Sequence, residues 1–239
     1  MSYPIKYPTP QGANIQIFNA GETKATQTWV KPQGASFVWF TLIGAGGGGQ
    51  GNDGTGTTTG GGSGAVTNCM VPAFLIPDCL QIQVGVGGIG GNNTGTQGQD
   101  GTNTVINYFS NGTYGLLTAN GGAGSSTAYG GVASLSNYFS CMGFFQSIAG
   151  QNGSNGNQTA SATTFLAGGC GDGTLTTSNY GYSNNRNGFF QMQPIIVGSG
   201  GAANAPNQGG IGCGGGGPIA SLAASGGNGG NGLAVIITW

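Results

Sequence analysis

Apolar residues along this chain come in short bursts, and most bursts run directly into or out of glycine. The strongest, 36–43 (SFVWFTLI), is rich in β-branched, aromatic and aliphatic residues and passes straight into Gly44, Ala45 and four consecutive glycines. Such a run reads as a buried strand feeding a backbone almost free of side chains. The join recurs at 80–91 (LQIQVGVGGIGG) and is reversed at 229–239 (GGNGLAVIITW). Residues 65–70, 103–108 and 114–119 are strand-like too, the last two joined by a turn through Asn111-Gly112. Ile15, Ile17 and Trp29 make two weaker pulses around 19–21, which predicts a hairpin, and Lys31-Pro32-Gln33-Gly34 is a turn signal.

One stretch has a different period. Val132, Leu135, Tyr138, Phe139, Met142, Phe145 and Ile148 fall at helical spacing, which predicts a short helix despite Gly143 within it. Phe144 and Phe145 then have two open roles, covering a core or contributing to a binding surface.

Between the bursts glycine falls into a period of three. Gly85, Gly88 and Gly91 are followed, after a one-residue slip, by Gly95, Gly98 and Gly101, and further triads stand at Gly209, Gly212, Gly215 and at Gly226, Gly229, Gly232. Three residues per turn with no Cβ at every third position is the pattern of an extended left-handed helix of the polyproline II type, in which glycine admits a neighbouring backbone. The predicted fold is all-β: short β-strands capping a polyglycine II sandwich, with at most one short α-helix. Residues 1–26, with Pro4, Pro8 and Pro10, form an N-terminal arm and hairpin; residues 27–239 form the glycine-rich domain, with loop insertions at about 125–166 and 174–193.

Composition sharpens this picture. The chain has 55 glycines in 239 residues, 4% charged residues and a net charge of −1. Glycine costs roughly 0.5–1 kcal/mol more than alanine on ordering, so a fold this rich in it demands dense backbone hydrogen bonding. Nine prolines are too few for collagen. Four basic residues cannot neutralise a nucleic-acid backbone, and no apolar run approaches membrane-spanning length, so neither partner is expected. The first twelve residues lack the apolar stretch of a signal peptide, which predicts synthesis and retention in a cytosol and five small, buried, reduced cysteines.

Chemistry-bearing motifs are sparse. Gly85-x-Gly87-x-x-Gly90 matches a dinucleotide fingerprint in letters, but no helix-forming sequence follows it and no acidic residue stands at the required spacing. Asp-Gly-Thr occurs at Asp53, Asp100 and Asp172 and reads as three turn corners. With no histidine and only scattered carboxylates, neither a catalytic group, a metal site nor a cofactor is expected.

The ordered combination of 28–49 (TWVKPQGASFVWFTLIGAGGGG) with LQIQVGVGGIGG, TNTVINY, LLTANGGAG, IGCGGGG and GGNGGNGLAVIITW resembles the glycine-rich domain of bacteriophage tail-fibre adhesins and related virus structural proteins. That resemblance implies receptor specificity carried by variable distal loops, here through Tyr180, Tyr182, Arg186, Phe189 and Phe190. It further implies a non-enzymatic virion protein on the particle surface (minor capsid, decoration or fibre tip), made in the host cytoplasm. Its partners would be other virion proteins and a host surface receptor. Only about 26 residues precede the domain, which favours a small shell protein held through its arm over a tail fibre. A different class is an ice-binding protein with a polyglycine bundle, which needs a regular threonine face; Thr55, Thr57, Thr58 and Thr59 are clustered only locally.

Overall fold

A computed structural model describes residues 13–21, 25–108, 115–133, 143–154, 158–159, 166, 168–169, 181–182, 208–218 and 223–239. The architecture is all-β, in two parts.

The first part is a β-sandwich. One antiparallel sheet has the order β1–β13–β3–β5–β9, from Asn14–Asn19, Leu233–Thr238, Phe37–Ile43, Val66–Pro72 and Phe144–Ile148. Facing it is a four-stranded antiparallel sheet, β2–β6–β7–β8, from Thr26–Val30, Cys79–Gln83, Thr104–Asn107 and Gly115–Ala119. The alternation of β3 sends Val38, Phe40 and Leu42 into the space between the sheets, where they meet Trp29, Leu80, Ile82, Ile106 and Leu117. Trp29 and Phe40 pack edge to face, with centroids 6.1 Å apart. On the other face of the five-stranded sheet, Ile43, Val66, Leu233 and Val235 cluster with Leu166 and Cys213.

The second part is a bundle of extended glycine segments that continues the strands. β3, β6, β8 and β9 run out of the sandwich into segments 44–51, 84–92, 120–125 and 149–154, while 58–65, 96–103 and 225–232 run back into β5, β7 and β13. The antiparallel order of the sheets thus fixes the direction of these seven segments. Two short ladders lie in the connections beyond: β4 (Asn52–Asp53) pairs with β12 (Ala223–Ala224), and β10 (Gln158–Thr159) with β11 (Gly181–Tyr182).

Two local expectations fail. β1 and β2 do not form a hairpin, because β1 pairs with β13 and β2 with β6 on opposite sheets of the sandwich. The apolar residues at helical spacing do not form a helix over 144–148 either, since that segment is strand β9, paired with β5. Its two phenylalanines take opposite faces: Phe145 packs against the sandwich core, and Phe144 stacks on Trp39 at 5.7 Å on the outer face.

Candidate functional site: the glycine bundle

Segment 44–51 shows how the bundle is built. Gly44, Gly47 and Gln50 donate their N–H groups to Ala65, Gly62 and Thr59; Ala45, Gly48 and Gly51 donate to Thr102, Gln99 and Thr96; Gly46 and Gly49 donate to Gly230 and Gly227, all at 2.8–3.2 Å. Successive amides therefore point to three different neighbours and return to the first after three residues. No bond closes within the segment, which is the polyproline II geometry. Acceptor numbers fall as donor numbers rise, so these three neighbours run antiparallel to it. Three parallel neighbours complete the surround by donating into its carbonyls: Gly88 and Gly91 to Gly46 and Gly49, Gly122 and Ser125 to Ala45 and Gly48, and Gly215 to Gly47, at 2.8–3.1 Å. Segment 44–51 is the axis of the bundle, with three neighbouring segments that accept from it and three that donate to it.

Segment 58–65 repeats the period. Gly60 and Ser63 donate to Ser154 and Gln151, Gly61 and Gly64 to Gly215 and Gly212, and Gly62 and Ala65 to Ala123 and Asn120. Each such bond is worth about 0.5–1.5 kcal/mol net, close to the entropic cost of each glycine, so the bundle is stable only where bonding is nearly complete. Glycine is required by space rather than by backbone angle. A Cβ on Gly46 would overlap the carbonyl of Cys213 and one on Gly47 that of Ala123, because neighbouring backbones pass at contact distance.

Where the bundle lacks a carbonyl neighbour, an amide or carboxylate side chain supplies the acceptor. Asn231 Oδ1 accepts from Gly87 N at 2.9 Å and Asn228 Oδ1 from Gly90 N at 2.8 Å. Asn103, Asp100 and Asn152 do the same for Gly121, Gly124 and Gly130. The letters of the dinucleotide fingerprint thus spell a bundle segment in which the amides of Gly85, Gly87 and Gly90 are already occupied. Asp100 is likewise no turn corner; it lies within segment 96–103. Asp53 does make a turn, its carboxylate held below its ordinary pKa by the Thr55 hydroxyl at 2.6 Å and the Thr55 N–H.

Among the glycines singled out by their period, Gly85, Gly88, Gly91, Gly98 and Gly101 stand in the bundle, each with a neighbouring backbone where a Cβ would go. Gly95 is different: it has φ +84° and open space around it, in the turn that reverses the chain between 84–92 and 96–103. Its role is conformational, and the count of three does not separate the two uses of glycine.

Tyr180, Arg186, Phe189 and Phe190 lie outside the described residues, and Tyr182 is described only as a backbone member of β11. The chain enters 170–207 from Gly169 and leaves it at Gln208, both next to bundle segments: Gly169 donates to Gly61, and Gly209 to Asn228. The other expected insertion, 125–166, is partly scaffold, since 128–131 and 149–154 are bundle segments and 144–148 is β9. The threonine cluster does not present one face, because Thr58 is buried and donates to the carbonyl of Pro218 while Thr55 folds onto Asp53. Cys69 and Cys213 are buried, as expected, but Cys79 is exposed. Burial pushes the Cys69 pKa up to about 12. Among the described residues no cluster of His, Cys, Asp or Glu could hold a metal, and no helix is long and apolar enough to cross a membrane.

Sequence reasoning missed the exposed apolar residues at the sandwich end away from the bundle. Val30, the last residue of β2, is 62% exposed, and Phe74 is 82% exposed on a turn pinned by Lys31 Nζ, which donates to the carbonyls of Ala73 (3.0 Å) and Ile76 (2.8 Å) and pairs with Asp78 (2.8 Å). The flanking Pro72 and Pro77 were the signal that this segment is a built turn.

A family model for the glycine-rich domain matches residues 22–239. The chain belongs to that family. The matched span takes in both sheets of the sandwich, except β1, and every bundle segment, so in this glycine-rich domain strands and bundle form one unit. No curated protein matches the sequence.

Proposed function

We propose that this protein is a non-enzymatic structural component of a virus particle's surface, a minor capsid, decoration or fibre-tip protein, with a contribution to host attachment. The observation that carries the proposal is the densely bonded bundle. Its described amides bond chiefly segment against segment, and the expected insertion 174–193 falls in the chain between Gly169 and Gly209, both of which donate to bundle segments. A scaffold of that kind suits presentation of variable loops, because backbone bonds rather than side chains hold it and loop sequence is free to change. The likeness of the strand-to-glycine joins to those of tail-fibre adhesins points the same way. Partners are then other virion proteins and a host surface receptor, met through Tyr180, Tyr182, Arg186, Phe189 and Phe190. With a net charge of −1, recognition rests on aromatic and amide groups.

Two measurements test this. The protein should co-sediment with purified virions at a fixed stoichiometry; absence from intact particles refutes the location. Alanine at Tyr180, Tyr182, Phe189 and Phe190 together should weaken attachment to host cells or coat protein with an unchanged melting temperature, and attachment should vary little between low and moderate salt. Unaltered attachment moves the binding surface elsewhere.

A further inference from the structure

The five-stranded sheet ends in an edge that natural sheets ordinarily protect. β1 (NIQIFN) is uncharged, has no proline and no bulge, and pairs on one side with β13. Beyond that ladder its backbone carries, among the described residues, a single hydrogen bond, from Gln27 Nε2 to the carbonyl of Asn19 at 2.9 Å. Ile15 and Ile17 are 59% and 51% exposed on one face. Through the register, Ile15 begins an unbroken apolar row across the sheet: Ile15, Ile237, Trp39, Met70, Phe144. An added strand would extend that row.

The sequence immediately before β1 has the pattern of such a strand. In 3–10 (YPIKYPTP) the three prolines stand at 4, 8 and 10, all of one parity. In a β-strand the N–H and C=O of one residue point to the same side and alternate from residue to residue. Odd positions can therefore bond to a neighbouring strand, while the even positions, lacking three amides, close the sheet to further addition. The same odd positions put Tyr3, Ile5 and Tyr7 on one face, where aromatic and β-branched side chains suit the exposed isoleucines as cross-strand partners.

We propose that the open edge of β1 is a strand-acceptor site and that its occupant is the N-terminal arm, residues 3–10, of a second copy of this chain. A copy's own arm would have to reverse through Gln11-Gly12 directly before Ala13. The tight two-residue turns that do this want a left-handed residue first, where glutamine stands instead of glycine or asparagine. An arm from a neighbour needs no such turn, and twelve extended residues span about 40 Å, enough to cross between adjacent subunits. The site is independent of the virion assignment.

The test compares the full chain, a chain beginning at Ala13, and the full-length Ile5→Asp variant, by light scattering and by amide hydrogen exchange at 14–18. The full chain should be oligomeric with 14–18 protected. Both altered chains should be monomeric, with at least tenfold faster exchange there and a melting temperature within about 2 °C of the parent, since the arm precedes the packed domain. Equal mass for all three overturns the proposal. So does a monomeric full chain whose 14–18 amides are protected by its arm, which would show self-docking.

Discussion

Gly48 and Gln99 face each other across two antiparallel bundle segments, the amide of the first 2.9 Å from the carbonyl of the second, and three residues later Gly51 repeats the contact with Thr96. That repeat converts a glycine-rich sequence into a rigid body. It fixes three residues per turn, so the next two amides, of Gly49 and Gln50, are directed to two further segments. The consequence for mutation is sharp. Gly47→Ala pushes a methyl group into the carbonyl of Ala123, and the nearest atoms it meets are all backbone, with no flexible side chain among them to yield. We expect a loss of about 3 kcal/mol or more, the upper end for overpacking. Gly95→Asn, at a left-handed turn in open space, should cost less than about 1 kcal/mol. Thermal melts of the two variants check both; equal effects would deny that space is what glycine supplies at Gly47.

The asparagines that stand in for missing carbonyls should differ by exposure. Asn231 caps Gly87 at a partly buried site, so Asn231→Ala strands an amide away from water and should cost about 1–3 kcal/mol. Asn228 caps Gly90 at an exposed site, where water takes over, and Asn228→Ala should cost less than about 1 kcal/mol. Chemical denaturation of the two variants reads the difference directly.

Much of this was legible in the sequence. The strand-to-glycine join at Ile43-Gly44 marks the bundle's axis, and triads such as Gly226, Gly229 and Gly232 mark in-register segments, each donating to 84–92. What could not be read was which segments adjoin, because glycine has no side chain to record its neighbour. The helix expected around 132–148 fails over 144–148 for a related reason. Spacings of three and four also arise when a strand alternates between two apolar faces, as β9 does by sending Phe145 inward and Phe144 onto Trp39. The hairpin failed because β1 and β2 are adjacent in sequence but belong to opposite sheets. The expected recognition residues from Tyr180 to Phe190 rest on sequence and resemblance alone.

The turn at 73–78 separates an ion pair from the hydrogen bonds beside it. Lys31→Met removes two part-buried bonds to the carbonyls of Ala73 and Ile76 and should cost about 1–3 kcal/mol. Asp78 is 89% exposed, so Asp78→Asn should change stability by less than about 0.5 kcal/mol. Equal losses would assign the turn's stability to the ion pair.

Cys69 links stability to alkaline pH. Its folded pKa, about 12, lies above the ordinary value of 9.0, so between the two the folded state holds a proton that the unfolded state releases. The contribution is complete below pH 9.0 and is lost as pH rises towards 12, with a slope approaching about 1.4 kcal/mol per pH unit. Cys69→Ala should flatten that slope between pH 9.5 and about 11. Exposed Cys79 should meanwhile react with a thiol reagent in the folded state, while buried Cys69 reacts only on unfolding.

The most direct test of the account is NMR detection of couplings across hydrogen bonds from the three consecutive amides of Gly46, Gly47 and Gly48. The bundle predicts three different partners, the carbonyls of Gly230, Gly62 and Gln99. Couplings to only two alternating partners, as in a sheet, or to carbonyls within 44–51, would contradict it.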